Sequence, residues 1–147
     1  KKAKIILSVD DSFLFGIKRT PNDPGRDGKL ELLGGGLDRG ETPLEALIRE
    51  VAEEEPSSIV ADKIAHLEPT PMKITVDDDR QFIFHMAITR EELDGITLNT
   101  KEHYGYRLME RSTVVSASKL DLSVFTRKTV KIFAELRRLN LFPYNMD

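Results

Sequence analysis

Short apolar runs broken by turn-forming residues open the chain. Lys4–Val9 and Ser12–Lys18 are two such runs joined at Asp10-Asp11, which predicts a β-hairpin. Residues 20–29, with Pro24-Gly25 among several Pro, Gly and Asp, predict a loop. Leu30–Leu33 reads as a strand leading into Gly34-Gly35-Gly36. The period then changes. Leu44, Leu47, Ile48 and Val51 recur at i, i+3, i+4 and i+7, one apolar stripe of a helix facing a core. Its start is marked by Thr42-Pro43-Leu44-Glu45: a capping Thr, Pro at the first helical position and Glu completing a capping box. Beyond this helix, Lys63–Leu67, Lys73–Val76, Gln81–Thr89 and Tyr104–Met109 are predicted strands, with a turn at Asp77-Asp78-Asp79. Phe125–Leu139 is a predicted amphipathic helix with Val130, Ile132, Phe133, Leu136 and Leu139 on its apolar side. Alternating short strands around two helices predict an α/β domain. Its 147 residues are expected to form one unit with a real core.

Composition narrows the function classes. Lys plus Arg number 22 against 25 Asp plus Glu, and this net charge of −3 argues against a protein built to grip nucleic-acid backbones. There is no cysteine, hence no disulfide framework and no thiolate metal site. No apolar stretch approaches the roughly 20 residues that a bilayer crossing needs. A cytoplasmic chain with no membrane partner is the expectation.

The distribution of acids is the chemical clue. Glu50, Glu53 and Glu54 fall on one flank of the apolar stripe, because i+3 and i+4 neighbours share a helix face. Glu55 extends the run to Pro56, which ends the helix by disfavouring the α region before it. A helix C-terminus carries partial negative charge, so each acid there costs about 0.3–1 kcal/mol. Like charges crowded together also raise one another's pKa. A solvated acidic face is the common fate of such a run. A hard divalent cation among the carboxylates, Mg²⁺ or Mn²⁺ by its preference for oxygen, turns the liability into a site.

Gly35, Glu41, Arg49-Glu50 and Glu53-Glu54 also stand at the spacing G-x5-E-x7-R-E-U-x-E-E, with Val51 as the bulky aliphatic U. Across residues 35–57 this pattern resembles the Nudix box, the signature of hydrolases that cut a nucleoside diphosphate linked to another moiety. Two positions depart from it: Pro56 replaces the usual Gly, and Ser57 a bulky aliphatic. The resemblance implies a Nudix-like α/β/α sandwich with a mixed β-sheet. It implies metal ligands at Glu50, Glu53 and Glu54 and a backbone oxygen from Gly34 or Gly35, with Gly35 taken as the ligand. It further implies that a Glu41–Arg49 salt bridge holds the glycine loop on the helix and orients Glu50. Pro56 opens the question of whether Glu54 is displaced.

A second stretch, Lys101–Leu108, resembles the Nudix segment in which an acid precedes a strand and completes the metal shell or acts as base. Glu102 is the candidate there, with His103 behind it. The implied mechanism is metal-assisted hydrolysis of a phosphoric anhydride, in which Mg²⁺ neutralises phosphate oxygens and activates water. The base is Glu53 or Glu102. His66 and His85, inside apolar runs, are expected to be packed or hydrogen-bonded. Core packing is the expected role for most of Phe13, Phe15, Phe82, Phe84, Tyr104 and Tyr106.

The expected partner is a small-molecule nucleotide: a nucleoside triphosphate, a nucleotide-sugar or an ADP-ribose-like compound. A homodimer is compatible with everything above. The alternative function is a non-catalytic Nudix-like module that binds a nucleotide as sensor or scaffold, and such modules usually lose the box carboxylates that this chain retains.

Overall fold

The computed structural model describes residues 1–141. β1 (Lys2–Val9) and β2 (Ser12–Lys18) form the expected hairpin, with Val9 paired to Ser12. The two strands then diverge, and the next segment enters the gap between them. β3 (Leu30–Glu31) runs antiparallel to β2, the chain turns at Leu32, and β4 (Leu33–Gly36) leaves antiparallel to β1. This wedge sets Glu31 on one side of the opening and the three glycines on the other.

β5 (Met72–Val76) and β6 (Asp79–Ile88) make the second hairpin, turning at Asp77 and Asp78 with φ of 52° and 63°. β6 runs parallel to β1 from Lys2–Gln81 to Val9–Ile88, and β7 (His103–Glu110) lies antiparallel to β2. The result is one seven-stranded mixed sheet with the path β3-β2-β1-β6-β5, to which β4 adds on β1 and β7 on β2.

Alternation along the strands feeds two cores. Ile5, Leu7 and Val9 of β1 and Phe82, Phe84 and Met86 of β6 pack on α1 (Pro43–Glu54) and α2 (Ile59–Leu67). Ile6, Phe13, Phe15 and Ile83 point the other way, onto Val130, Ile132, Phe133 and Leu136 of α5 (Arg127–Arg138). There Phe15 stands edge-on to Phe125 and Phe133, at 5.1 and 6.0 Å between ring centres. The sheet between two helical layers is the α/β/α sandwich.

Several local readings are corrected. Lys63–Leu67 is not a strand but the second half of α2, whose Val60, Ala61 and Ile64 face the core. Two short helices join it, α3 (Arg90–Asp94) and α4 (Arg111–Ser116), which makes five helices among the described residues. α3 carries its own capping box, Thr89 with Glu92, and Thr89 therefore caps a helix instead of ending β6. His66 lies exposed on α2, against the packing expected of it. His85 is hydrogen-bonded as expected, its Nε2 at 2.8 Å from Ser8 Oγ.

Candidate active site

α1 begins as its sequence dictates. Glu45 N–H donates to Thr42 Oγ1 (3.1 Å) and Thr42 N–H to Glu45 Oε1 (2.9 Å). Two glycines then bring the far end of this helix against β4. Gly34 sits at φ +126°, and a Cβ there would lie 2.1 Å from the Ala3 carbonyl oxygen. A Cβ on Gly35 would lie 2.4 Å from Cδ of Glu50. A side chain at Gly34 would collide with the β1 backbone, and one at Gly35 would displace the Glu50 carboxyl.

Arg49 ties loop to helix. Its Nε and Nη2 grip both oxygens of Glu41 at 2.8 and 2.9 Å, Nη2 also donates to the Gly36 carbonyl at 2.9 Å, and Nη1 reaches Glu50 Oε1 at 2.9 Å. The guanidinium hydrogen bonds, followed by one from the Asp38 N–H, pull the Glu41 carboxyl down to about 2. The same contacts raise Arg49, so it stays charged throughout. The salt bridge and its hold on Glu50 are as anticipated.

The acids at the end of α1 separate. Glu53 is 54% exposed and leans towards Arg49 at 3.5 Å. Glu50 is largely covered, and Glu54 is buried at 6% exposure. Glu54 accepts one hydrogen bond, from Gly34 N–H at 2.7 Å, and makes no ion pair among the described residues. Burial pushes its carboxyl up to about 8. The Gly34 N–H and the Lys4 charge pull it back, while Glu31 and Glu102 push it further up. Pro56 leaves Glu54 inside α1 and beside Gly34. α1 ends at Glu54, Glu55 turns to extended backbone, and the positive φ needed to start α2 falls on Ser58 at 62°. The Ser57 hydroxyl bridges this joint to the Asn99 loop, since its Oγ donates to Glu55 and accepts from Thr97 N–H at 3.0 Å.

Around Glu54 opens a cleft of about 290 Å³. Four carboxylates line it: Glu31, Glu50, Glu54 and Glu102. Lys4, Lys18, Arg19, Lys101 and Arg26 supply five cations. Glu102 is thus brought to the box helix as expected. Its loop is pinned there by Asn99, whose N–H donates to the Glu54 carbonyl (2.7 Å) and whose side chain donates to the Glu53 carbonyl (3.2 Å). These are carbonyls that the end of α1 leaves without helical partners. Glu53 lies outside the cleft lining.

His103, the second candidate after Glu102, turns inward. At 1% exposure it sets Nε2 at 2.9 Å from Glu31 Oε2, and its Nδ1 has no partner. Burial alone would raise the Glu31 carboxyl, but the His103 hydrogen bond and the Lys4 and Lys18 charges bring it below the usual range. Glu31, Lys18 and Asn99 are site residues that sequence reading missed. Glu31 left one signal, a lone acid inside the apolar run Leu30–Leu33. Phe13, Phe15, Phe82 and Phe84 are buried as expected, whereas Tyr104 is 49% exposed at the rim. There Arg19 lies 5.3 Å above its ring, and its hydroxyl donates to Asp27 at 2.9 Å.

No three His, Cys, Asp or Glu side chains among the described residues are gathered at metal-binding spacing. The chemistry of the donors nevertheless fits a hard cation. All are oxygen, and Glu54 is a buried carboxyl whose negative charge nothing in its surroundings fully compensates.

Comparison with known proteins agrees with this geometry. The Nudix domain family model matches residues 2–131. No curated protein sequence matches the chain. Among solved structures, a C. elegans Ap4A hydrolase binary complex superposes with a TM-score of 0.60 at 16% identity, covering 97% of each chain. A Francisella tularensis bifunctional NMN adenylyltransferase/ADP ribose pyrophosphatase, complexed with AMP and a Mn ion, gives a TM-score of 0.66 at 16% identity over 94% of this chain and 41% of its own. The MutT protein of Methanosarcina mazei gives 0.57 at 19% identity over 95% and 93%. At these identities the structures speak for the fold alone. With the family model matching nearly the whole described chain, this chain belongs to the Nudix family of hydrolases.

Proposed function

We propose that the protein hydrolyses a phosphoric anhydride in a nucleoside diphosphate linked to another moiety, with Mg²⁺, or Mn²⁺ in its place, held at the end of α1. The observation that carries this reading is Glu54, a buried carboxyl with one hydrogen bond and no ion pair, facing a cleft lined with cations. Glu50 and Glu54, with the Gly35 backbone, would hold the metal, and Glu53 would complete the shell by rotating from Arg49. When bound, the cation would neutralise phosphate oxygens and favour ionisation of a water.

The remaining work falls to the chain's own side chains. Lys4, Lys18 and Arg19 bind and orient the phosphates. Arg49 keeps Glu50 aimed, and Glu102 takes the proton of the attacking water. Glu102 is preferred over Glu53 as the base because it lines the cleft while Glu53, exposed like it, lies outside the lining.

Residues 1–147 act as one hydrolase domain in this reading, supported by a sheet that both cores share. No helix among the described residues is long and apolar enough to cross a membrane. A cytoplasmic location is the default that accompanies this reading. The test is phosphate release from a panel of nucleoside triphosphates, nucleotide-sugars, ADP-ribose and dinucleoside polyphosphates, with and without Mg²⁺. Mg²⁺-dependent release from at least one is expected. Undiminished release after exhaustive chelation would remove the metal from the account, and no release from any would favour a nucleotide-binding module.

A further inference from the structure

The cleft does not end at Glu31. Lys18, Arg26 and Glu31 also line a second depression of about 280 Å³, whose far wall is Arg127, Lys128 and Lys131 at the start of α5. The shared residues set the two depressions side by side, one towards the α1 layer and the other towards the α5 layer. In a chain where acids outnumber bases 25 to 22, this extension concentrates positive charge. Its five cations face the carboxylates of Glu31 and Asp77, and Asp23 holds Arg26 at 2.6 Å.

The cations are incompletely matched. Lys128 and Lys131 share the single carboxylate of Asp77, at 3.4 and 2.8 Å. Lys18 lies 3.4 Å from Glu31, which His103 also holds. Arg127 is exposed and makes no ion pair among the described residues. The first turn of α5 contains no acid, although a helix start favours acids and disfavours cations. Exposed ion pairs of this kind exchange partners readily, and both guanidinium and ammonium groups bind phosphate well.

We propose that this groove holds phosphates lying beyond the anhydride that is cut, so that the preferred substrate carries a chain of at least two further phosphates instead of an uncharged arm. The proposal rests on the reading of the neighbouring cleft as an anhydride-hydrolysing site. Substrate length is then sensed by Arg127, Lys128 and Lys131, on the side of the sheet opposite the box helix.

The test separates binding from turnover. Calorimetric titration with inorganic pyrophosphate, tripolyphosphate and tetrapolyphosphate, at low salt without metal, should show wild-type affinity rising about tenfold across the series. That rise should vanish in an Arg127→Gln/Lys131→Gln double variant whose melting curve matches wild type. With Mg²⁺, the variant should raise KM about tenfold for dinucleoside polyphosphates and leave kcat, and KM for a nucleotide-sugar, unchanged. No length dependence in the wild type, a measurement that needs no variant, overturns the proposal, as does an unaltered dependence in the variant. Length-dependent binding without hydrolysis of any substrate would uphold the groove and sink the hydrolase reading. Hydrolysis without length dependence would do the reverse.

Discussion

Glu54 and Glu55 are adjacent buried carboxyls with opposite surroundings. Glu55 is 0% exposed, yet it is fully employed: it accepts from Ile59 N–H and Val60 N–H, both at 2.9 Å, and from the Ser57 hydroxyl. Its carboxyl lies at the start of α2, where free N–H groups and the helix dipole both favour an acceptor. Glu54 stands at the end of α1, where the dipole opposes it, and it has the Gly34 N–H alone. One carboxyl is satisfied by the fold; the other is left with a single donor. Burial by itself therefore does not single out a candidate functional acid; a shortage of partners in the buried place does.

The largest expected effect comes from breaking the unsatisfied member. Glu54→Gln should lower kcat by about a hundredfold or more, roughly 2.7 kcal/mol in barrier, with the fold intact. It should also alter metal-free stability with a definite sign. The Glu54 carboxyl is about 8 when folded and 4.5 in the reference state. The folded form therefore binds the extra proton between those values, and stability falls as pH rises from about 4.5 to about 8. The loss is on the order of a few kcal/mol. Melting curves across this range should slope for wild type and flatten for Glu54→Gln. Equal slopes would show that the carboxyl is compensated after all.

Glu55→Gln should do the converse. An amide group facing two N–H donors leaves one unpaired, so unfolding free energy should drop by about 2–3 kcal/mol, while kcat changes less than about threefold. A collapse of kcat with unchanged stability would dissolve the distinction between the neighbours. A smaller contrast lies between the two candidate bases. Glu102→Gln should lower kcat at least about tenfold, and Glu53→Gln by less. The reverse ranking would move the base to Glu53. Smallest is Pro56→Gly, at the joint between the two helices. Glycine enlarges the unfolded ensemble, so a loss of roughly 0.4–1 kcal/mol is expected, with activity within about tenfold of wild type. A strong gain in turnover and in Mg²⁺ affinity would mean that the proline holds Glu54 out of place.

The two neighbours also differed in how far sequence could reveal them. α1 was legible because a capping box, a Pro at its start and four apolar residues at helical spacing all agreed. Glu54 was legible with it, through its place in the box. α2 was not. Apolar residues fill most of its nine positions and so set no clear helical period, and Lys63–Leu67 suits a short strand as well as a helical turn. Without α2, nothing in the sequence could tell that Glu55 was a cap. Glu31 depended on a contact with His103, 72 residues away, and Asn99 on carbonyls that become free only where α1 ends. Such roles arise from tertiary placement and leave no local period.

The central claim, that Glu54 is a protonated carboxyl until a divalent cation takes the proton's place, has a direct measurement. Mg²⁺ titrated into the protein at pH 7, in two buffers of different ionisation enthalpy, counts the protons released as the metal binds. With the Glu54 carboxyl at about 8 before binding, wild type should release close to one proton, and Glu54→Gln none. Metal binding with no proton released by the wild type would contradict the account.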